Sequence, residues 1–189
     1  MKIGLFFGSF NPIHIGHLII ANIMVATTDI DKVWFVVSPQ NPFKKRDTLL
    51  PEFDRLDLVR QAIYDDFNLE VCDVEFHMPK PSYTVDTLAY LMDKHPSKEF
   101  KLIIGEDNLS HFHKWKNHEQ ILEHNLYVYP RPNAKHTDFH GSSQVKMVDS
   151  PMIDISATFI RKCIKNNQSI KYLVPDIVLE IIAAKGFYK

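Results

Sequence analysis

Two histidines three residues apart, His14 and His17, stand just after a glycine and a proline in the run GSFNPIHIGH, residues 8 to 17. On a helix that spacing puts both imidazoles on one face, and Gly16 keeps the face between them low. The first turns of a helix that follows a strand are where backbone N–H groups and the helix dipole favour an anion. Imidazoles added there could donate hydrogen bonds to phosphate oxygens. Near the other end of the chain, Thr158 and Arg161 repeat the spacing in SATFIR. A hydroxyl, a helix N-terminus opened by Ser156 or Ala157, and a guanidinium three residues on form a second anion cradle. Two such cradles suit a polyphosphate. Neither Cys72 nor Cys163 has an activating neighbour in sequence, so no nucleophile stands out. His111, His113 and His118 are close together but lack a cysteine or a convergent fourth group, and read as a solvated face.

These side chains need a scaffold, and the hydrophobic pattern supplies one. Lys2 to Phe7, Lys32 to Ser38, Leu69 to Phe76, Phe100 to Ile104, Asn125 to Tyr129 and Val145 to Val148 read as strands, several of them continuous apolar runs of the parallel, doubly covered kind. Helices are expected from about Ile13, with Leu18, Ile19, Ile20, Ile23 and Met24 as the buried surface. Asn11 could cap this helix. Further helices are expected over Glu52 to Tyr64, from Ser82 or Thr84 to His95, up to Ile121–Glu123, from Ser156 or Ala157, and over Pro175 to Ala184 with Gly186 as C-cap. In the Glu52–Tyr64 helix, Phe53, Leu56, Val59 and Ile63 form the apolar face, and Asp54, Arg55, Asp57 and Arg60 the outer one. The pattern predicts an α/β fold: a single Rossmann-like doubly wound domain over residues 1–189, with a parallel sheet of five or six strands.

In such sheets ligands bind at the carboxyl ends of the strands. Gly8 and Gly105 lie there and permit close approach to the backbone. Asp107 follows Gly105 and could accept from ribose hydroxyls or face a metal ion. Lys44, Lys45 and Arg46 follow the second strand as a candidate phosphate clamp, with Lys44 preferred. Trp115 offers a flat face for an aromatic ring.

Composition excludes little but points consistently. Hydrophobic residues make up 45% and charged residues 24%; 22 Lys and Arg stand against 23 Asp and Glu. That balance gives no support for general binding to nucleic acid or to an anionic membrane, so any anionic ligand must be met by local groups. No apolar run reaches membrane-spanning length. The opening MKIGLFFGSF reads as a strand, not a signal peptide. Two isolated thiols suggest a reducing, cytoplasmic setting. There is no Walker P-loop and no G-x-G-x-x-G.

The run GSFNPIHIGH resembles the H-x-G-H motif of the nucleotidylyltransferase superfamily, and ISATFIR, residues 155 to 161, resembles its second motif, I-S-S/T-T-x-I-R. The segments SYTVDTL, residues 82 to 88, and GEDNL with Phe112 and Trp115 are similar to those of bacterial nicotinate-mononucleotide adenylyltransferases. Two positions depart from the usual pattern: Ala157 replaces a serine, and Phe7 stands where many members have glycine. The resemblance implies transfer of AMP from ATP, carried with Mg²⁺, to nicotinate mononucleotide, giving deamido-NAD and pyrophosphate. It implies His14, His17 and Arg161 as catalytic. It implies ATP contacts from these three and from Gly8, Ser9, Phe10, Lys44, Gly105, Asp107, Ile155, Ser156 and Thr158. For the mononucleotide it implies Ser9, Lys44, Tyr83, Thr84, Trp115 and Arg131. No resident metal ligand is implied. Alternatives are nicotinamide mononucleotide, phosphopantetheine or a phosphorylated alcohol as acceptor, a class I aminoacyl-tRNA synthetase fragment, and a non-catalytic nucleotide sensor. The length and the lack of K-M-S-K-S argue against the synthetase. The partners are small molecules, and a homo-oligomer is left open.

Overall fold

The computed structural model of the chain describes residues 1–39 and 49–189. Six strands form one all-parallel sheet: β1 (Lys2–Gly8), β2 (Lys32–Val37), β3 (Leu69–Cys72), β4 (Glu99–Gly105), β5 (Leu126–Tyr129) and β6 (Val145–Met147). Their order is β3-β2-β1-β4-β5-β6, with Leu5 opposite Trp34 on one side and Leu102 on the other. The chain winds outward from β1 in one direction and then, from β4, in the other. The reversal opens a crevice at the carboxyl ends of β1 and β4.

Alternation along the strands sends side chains to two cores. Phe6, Val33, Phe35, Val37 and Ile103 pack under α1 (Ile15–Thr27) and α2 (Glu52–Ala62). Ile3, Leu5, Trp34, Val36 and Leu102 pack under α3 (Thr84–Lys94), α4 (Glu106–Leu109) and α5 (His118–Leu122). The last two helices, α6 (Ala157–Lys165) and α7 (Asp176–Lys185), join the first core through Ile160, Val178 and Ile182. Gly186 closes α7 at φ 65°, a left-handed position that glycine adopts without strain.

Several local expectations are corrected. Helix α1 begins at Ile15, with His14 and not Asn11 as its N-cap; the Asn11 side-chain oxygen instead accepts from the Leu50 N–H at 3.2 Å. In α1, Leu18, Ile19 and Ile23 are only half-buried, while Ile20 and Met24 are buried. Strand β3 stops at Cys72 because Val74–His77 turns into a 3₁₀ helix. Helix α3 is capped by Tyr83, since the Ser82 hydroxyl is drawn away to Glu75. The largest error concerns α2. Phe53 is 67% exposed, and Arg55, expected on the outer face, is completely buried.

Candidate active site

The first compartment is a cleft of about 300 Å³ between the end of β1, α1, the end of β5 and the N-terminus of α6. It brings together Gly8, Ser9, Phe10, His14, His17, Asp107, Arg131, Ile155, Ser156, Thr158 and Arg161, although the chain separates the two cradles by about 140 residues.

His14 is 5% exposed, and its Nδ1 is buried without a partner. Burial, with the charge of Arg131, pulls its pKa down to about 4, so the ring is neutral at pH 7. The His17 ring stacks on it at 3.7 Å between centroids and meets Phe10 edge-on at 5.0 Å. His17 Nδ1 accepts from the His14 backbone N–H at 3.3 Å. A neutral His17 therefore carries its proton on Nε2, which is a donor. The close stacking depends on Gly16: a Cβ there would lie 3.1 Å from His14 Nδ1. The backbone of α1 contributes less than the sequence suggests, because the Ile15 N–H is already donated to the Leu173 carbonyl at 2.9 Å.

At α6 the Ser156 hydroxyl accepts from the Phe159 N–H at 3.2 Å, an ordinary N-cap. The Ala157 and Thr158 N–H groups lie ahead of the first intrahelical bond. Arg161 donates to the Thr158 hydroxyl at 3.2 Å and to the Asn11 carbonyl at 2.8 Å, which ties the second cradle to the first. Arg131 donates to the Ile153 carbonyl at 3.0 Å, with its Nε 3.9 Å from Asp107.

The second compartment adjoins the first and holds about 590 Å³. Tyr83, Thr84, Trp115 and Gly105 line it, and Phe6, Phe7, Gly8, Asn108 and Tyr129 are shared by both. Trp115 is half-buried, its ring 5.4 Å from that of Phe112. Arg131, an expected acceptor contact, lines the first compartment, and Gly105, an expected ATP contact, lines the second. Both glycines line a compartment, and each also leaves room for a neighbouring side chain. The space a Cβ would take at Gly8 is filled by the Phe10 ring at 2.8 Å, and at Gly105 by Asp107 Oδ1 at 2.5 Å. Both are small to admit neighbouring side chains. Lys44, with Lys45 and Arg46, lies outside the described residues.

Sequence reasoning missed Glu75. It is 3% exposed, lines the second compartment, and accepts from the Ser82 and Thr87 hydroxyls at 2.8 and 3.0 Å. Burial pushes its pKa up. Its position in an expected strand concealed this; only the S-Y-T-x-D-T pattern nearby hinted at hydroxyls needing an acceptor. Burial also pushes the Cys72 thiol up to about 11, which makes it unreactive. His118 packs edge-on against Phe112 and Phe139, while His111 and His113 are exposed. Among the described residues no group of three or more His, Cys, Asp or Glu could hold a metal ion, and no helix is long and apolar enough to cross a membrane.

A six-stranded parallel sheet with paired imidazoles at one helix start and a Thr–Arg pair at another defines a class. The chain belongs to the cytidylyltransferase-like family, whose model matches residues 5–163. Within it the chain sits among the nicotinate-nucleotide adenylyltransferases. It is 58% identical over 189 residues to a Cytophaga hutchinsonii protein named a probable nicotinate-nucleotide adenylyltransferase, covering 100% of this chain and 98% of that one. It is 54% identical over 192 residues to a Flavobacterium psychrophilum protein of the same name, with 100% of both chains covered. The structure of Plasmodium falciparum nicotinic acid mononucleotide adenylyltransferase complexed with NaAD superposes with a TM-score of 0.84 at 19% identity, over 99% of this chain and 97% of that one. That similarity is one of fold.

Proposed function

We propose that the chain transfers AMP from ATP to nicotinate mononucleotide, forming deamido-NAD and releasing pyrophosphate. The observation that carries this reading is the pair of adjoining compartments that meet at Gly8. One is rich in phosphate donors; the other is broad, partly aromatic and fit for a pyridine ring. The full-length relatives named for this activity support it.

His17 Nε2–H, Thr158 and Arg161 bind and orient the triphosphate of ATP and meet the charge that grows at the transferring group. Neutral His14 backs His17 by stacking. Ser9 and Phe10 form the turn beneath the phosphates. In the second compartment Trp115 stacks on the pyridine ring, and the backbone N–H groups around Tyr83 and Thr84 receive its carboxylate. Asp107 is the single carboxylate among the described lining residues of the first compartment and is exposed. That suits Mg²⁺ brought in on the triphosphate of the substrate rather than held by a protein cage. With no activated nucleophile in reach among the described residues, the acceptor phosphate attacks the α-phosphorus directly. It is ionised at neutral pH and needs no general base. The unpaired Cys72 and Cys163 support a cytoplasmic setting, and the chain acts as one catalytic domain.

The test is pyrophosphate release from MgATP against a panel of acceptors: nicotinate mononucleotide, nicotinamide mononucleotide, phosphopantetheine and a simple sugar phosphate. Fastest turnover is expected with the first. ATP binding without turnover on any acceptor would turn the reading toward a nucleotide sensor. ATP chiral at the α-phosphorus through sulfur substitution should give inverted product; retention would reveal a covalent adenylyl-enzyme.

A further inference from the structure

Beneath the point where the two compartments meet lies a charged side chain that touches neither. Arg55 is completely buried on α2. Its Nε donates to the Leu50 carbonyl at 2.9 Å, one Nη1 to the Ser9 and Ser38 carbonyls at 2.7 Å each, and Nη2 to the Pro39 carbonyl at 2.9 Å. Four of the five N–H donors of a guanidinium are thus spent on backbone. Among the described residues no carboxylate lies within ion-pair distance of it, and burial lowers its pKa. A buried cation whose direct partners are carbonyl dipoles, with Glu52 acting on it only at longer range, is expensive. A fold that needed only volume at this position would be served better by leucine or methionine.

The carbonyls it takes are informative. Ser9 is in the turn after β1 and lines the first compartment; Ser38 is at the exit of β2 and lines the second. Ser38 also donates its backbone N–H to the Gly8 carbonyl at 2.9 Å, so the two segments are already laced together. Leu50 closes a further loop. Its N–H donates to Asn11, whose carbonyl accepts from Arg161. One guanidinium therefore fastens the β1 turn, the β2 exit and, through Leu50 and Asn11, the arginine of the second cradle. It also turns carbonyl oxygens toward itself. Because the peptide unit is planar and trans, turning the Ser9 carbonyl toward Arg55 points the Phe10 N–H away from it. Carbonyl oxygens aimed at a polyphosphate would repel it.

We propose that Arg55 is a positioning residue for the transfer reaction, holding the turn after β1 and the exit of β2 in the register that aligns the two compartments. The inference rests on the adenylyl-transfer reading above. Its signature is a loss in kcat with both KM values little changed, because each compartment keeps its own ligand contacts while their mutual alignment is lost. Misplacement by about 1 Å remote from the chemistry can cost on the order of 10² in rate.

The experiment compares wild type, Arg55→Lys and Arg55→Ala. Turnover per folded molecule is measured at low temperature, where near-ultraviolet circular dichroism verifies the fold. Lysine keeps the charge but presents a compact ammonium in place of the planar fork, so a kcat lower by roughly 10-fold or more is expected, with KM for MgATP and for the mononucleotide within about 3-fold. Millimolar methylguanidinium should restore part of the turnover of Arg55→Ala by refilling the site. Wild-type turnover sets the reference: if wild type is inactive, the adenylyl-transfer reading fails rather than this one. With wild type active, unchanged turnover per folded variant, KM losses that match the kcat loss, or variants that do not fold at all would overturn the proposal and leave Arg55 a purely structural residue.

Discussion

The two compartments that meet at Gly8 are held together by different physics. The first is assembled from charged and polar side chains around two helix starts, with burial and the charge of Arg131 together keeping His14 neutral. The second is a shelf between the sheet and α3, walled by Trp115 and Tyr83 and underpinned by a buried carboxylate, Glu75, that is answered by hydroxyls. Phosphate chemistry needs donors at fixed points, and donors are few and short-range. A ring needs area and exclusion of water, which many residues supply a little at a time. Loss of single side chains should therefore act on rate in the first compartment and on acceptor affinity in the second.

The strongest break in that contrast is expected at His17. Its Nε2–H is fixed as a donor by the His14 backbone bond to Nδ1. If that donor meets charge growing in the transition state, His17→Ala should lower kcat by about 10²–10³, as for a lost oxyanion donor. Melting temperature should move little, because His17 is half-buried. Near-normal turnover with a collapsed melting temperature would make His17 a packing residue and erase the contrast.

His14 sharpens the contrast from the side of stability. Its pKa, about 4 in the fold against an ordinary 6.5, is depressed chiefly by burial. Above pH 6.5 the ring is neutral in both folded and unfolded chains and its stabilising contribution is complete. As pH falls from 6.5 toward 4 the unfolded chain takes up the proton first, so stability is lost across that window, by about 3 kcal/mol in all. Urea unfolding between pH 7.5 and 4.5 should show this loss in wild type and not in His14→Gln. An equal pH dependence in both proteins would show that the buried ring does not titrate as described.

The same contrast explains what the sequence made legible. The strand runs, the nearness of His14 to His17 and the start of α6 were readable because each rests on a local rule: apolar runs for buried strands, three-residue spacing for neighbouring side chains, a hydroxyl at an N-cap. Arg55 and Glu75 were not. Arg55 sits among polar residues on a helix whose periodicity assigns it to solvent, and only the fold brings four carbonyls around it. Phe53 fails for the converse reason, since α2 turns it outward against Phe76 at 5.4 Å. Gly8 and Gly105 were recognisable as special, but the side chains that fill their missing Cβ space, Phe10 and Asp107, follow from turns that spacing does not encode. The place of Arg131 in the first compartment is not legible either, because its partner, the Ile153 carbonyl, comes from a segment 22 residues later.

In the second compartment, Trp115→Ala should weaken acceptor binding while leaving ATP nearly untouched. A stacked ring is worth about 1–3 kcal/mol, so KM for nicotinate mononucleotide should rise roughly 5- to 150-fold, with KM for MgATP within about 3-fold. Steady-state kinetics with each substrate varied in turn decides it. Equal rises for both would mean that Trp115 supports the sheet edge as a whole through Phe112.

The smallest effect is expected at Lys116, and it tests whether charge matters in the ring compartment at all. Its ammonium pairs with Asp86 at 2.8 Å and lies 4.8 Å from the centre of the Tyr83 ring. Both side chains of the ion pair are nearly half exposed, 45% and 46%, and such pairs contribute about 1 kcal/mol or less. Lys116→Met should therefore shift melting temperature by only a few degrees. Its effect on the acceptor should be mainly long-range: the mononucleotide carries a phosphate and a ring carboxylate, and an exposed cation attracts both. KM for the acceptor should rise about 2- to 5-fold at low ionic strength and converge on wild type near 0.5 M salt, where screening acts over a few ångströms. The His17→Ala defect, rooted in a contact made at the transferring phosphate, should persist in high salt. A Lys116→Met defect that is large and indifferent to salt would place a direct ligand contact in the second compartment, and the division between a charged cleft and a ring shelf would have to be redrawn around it.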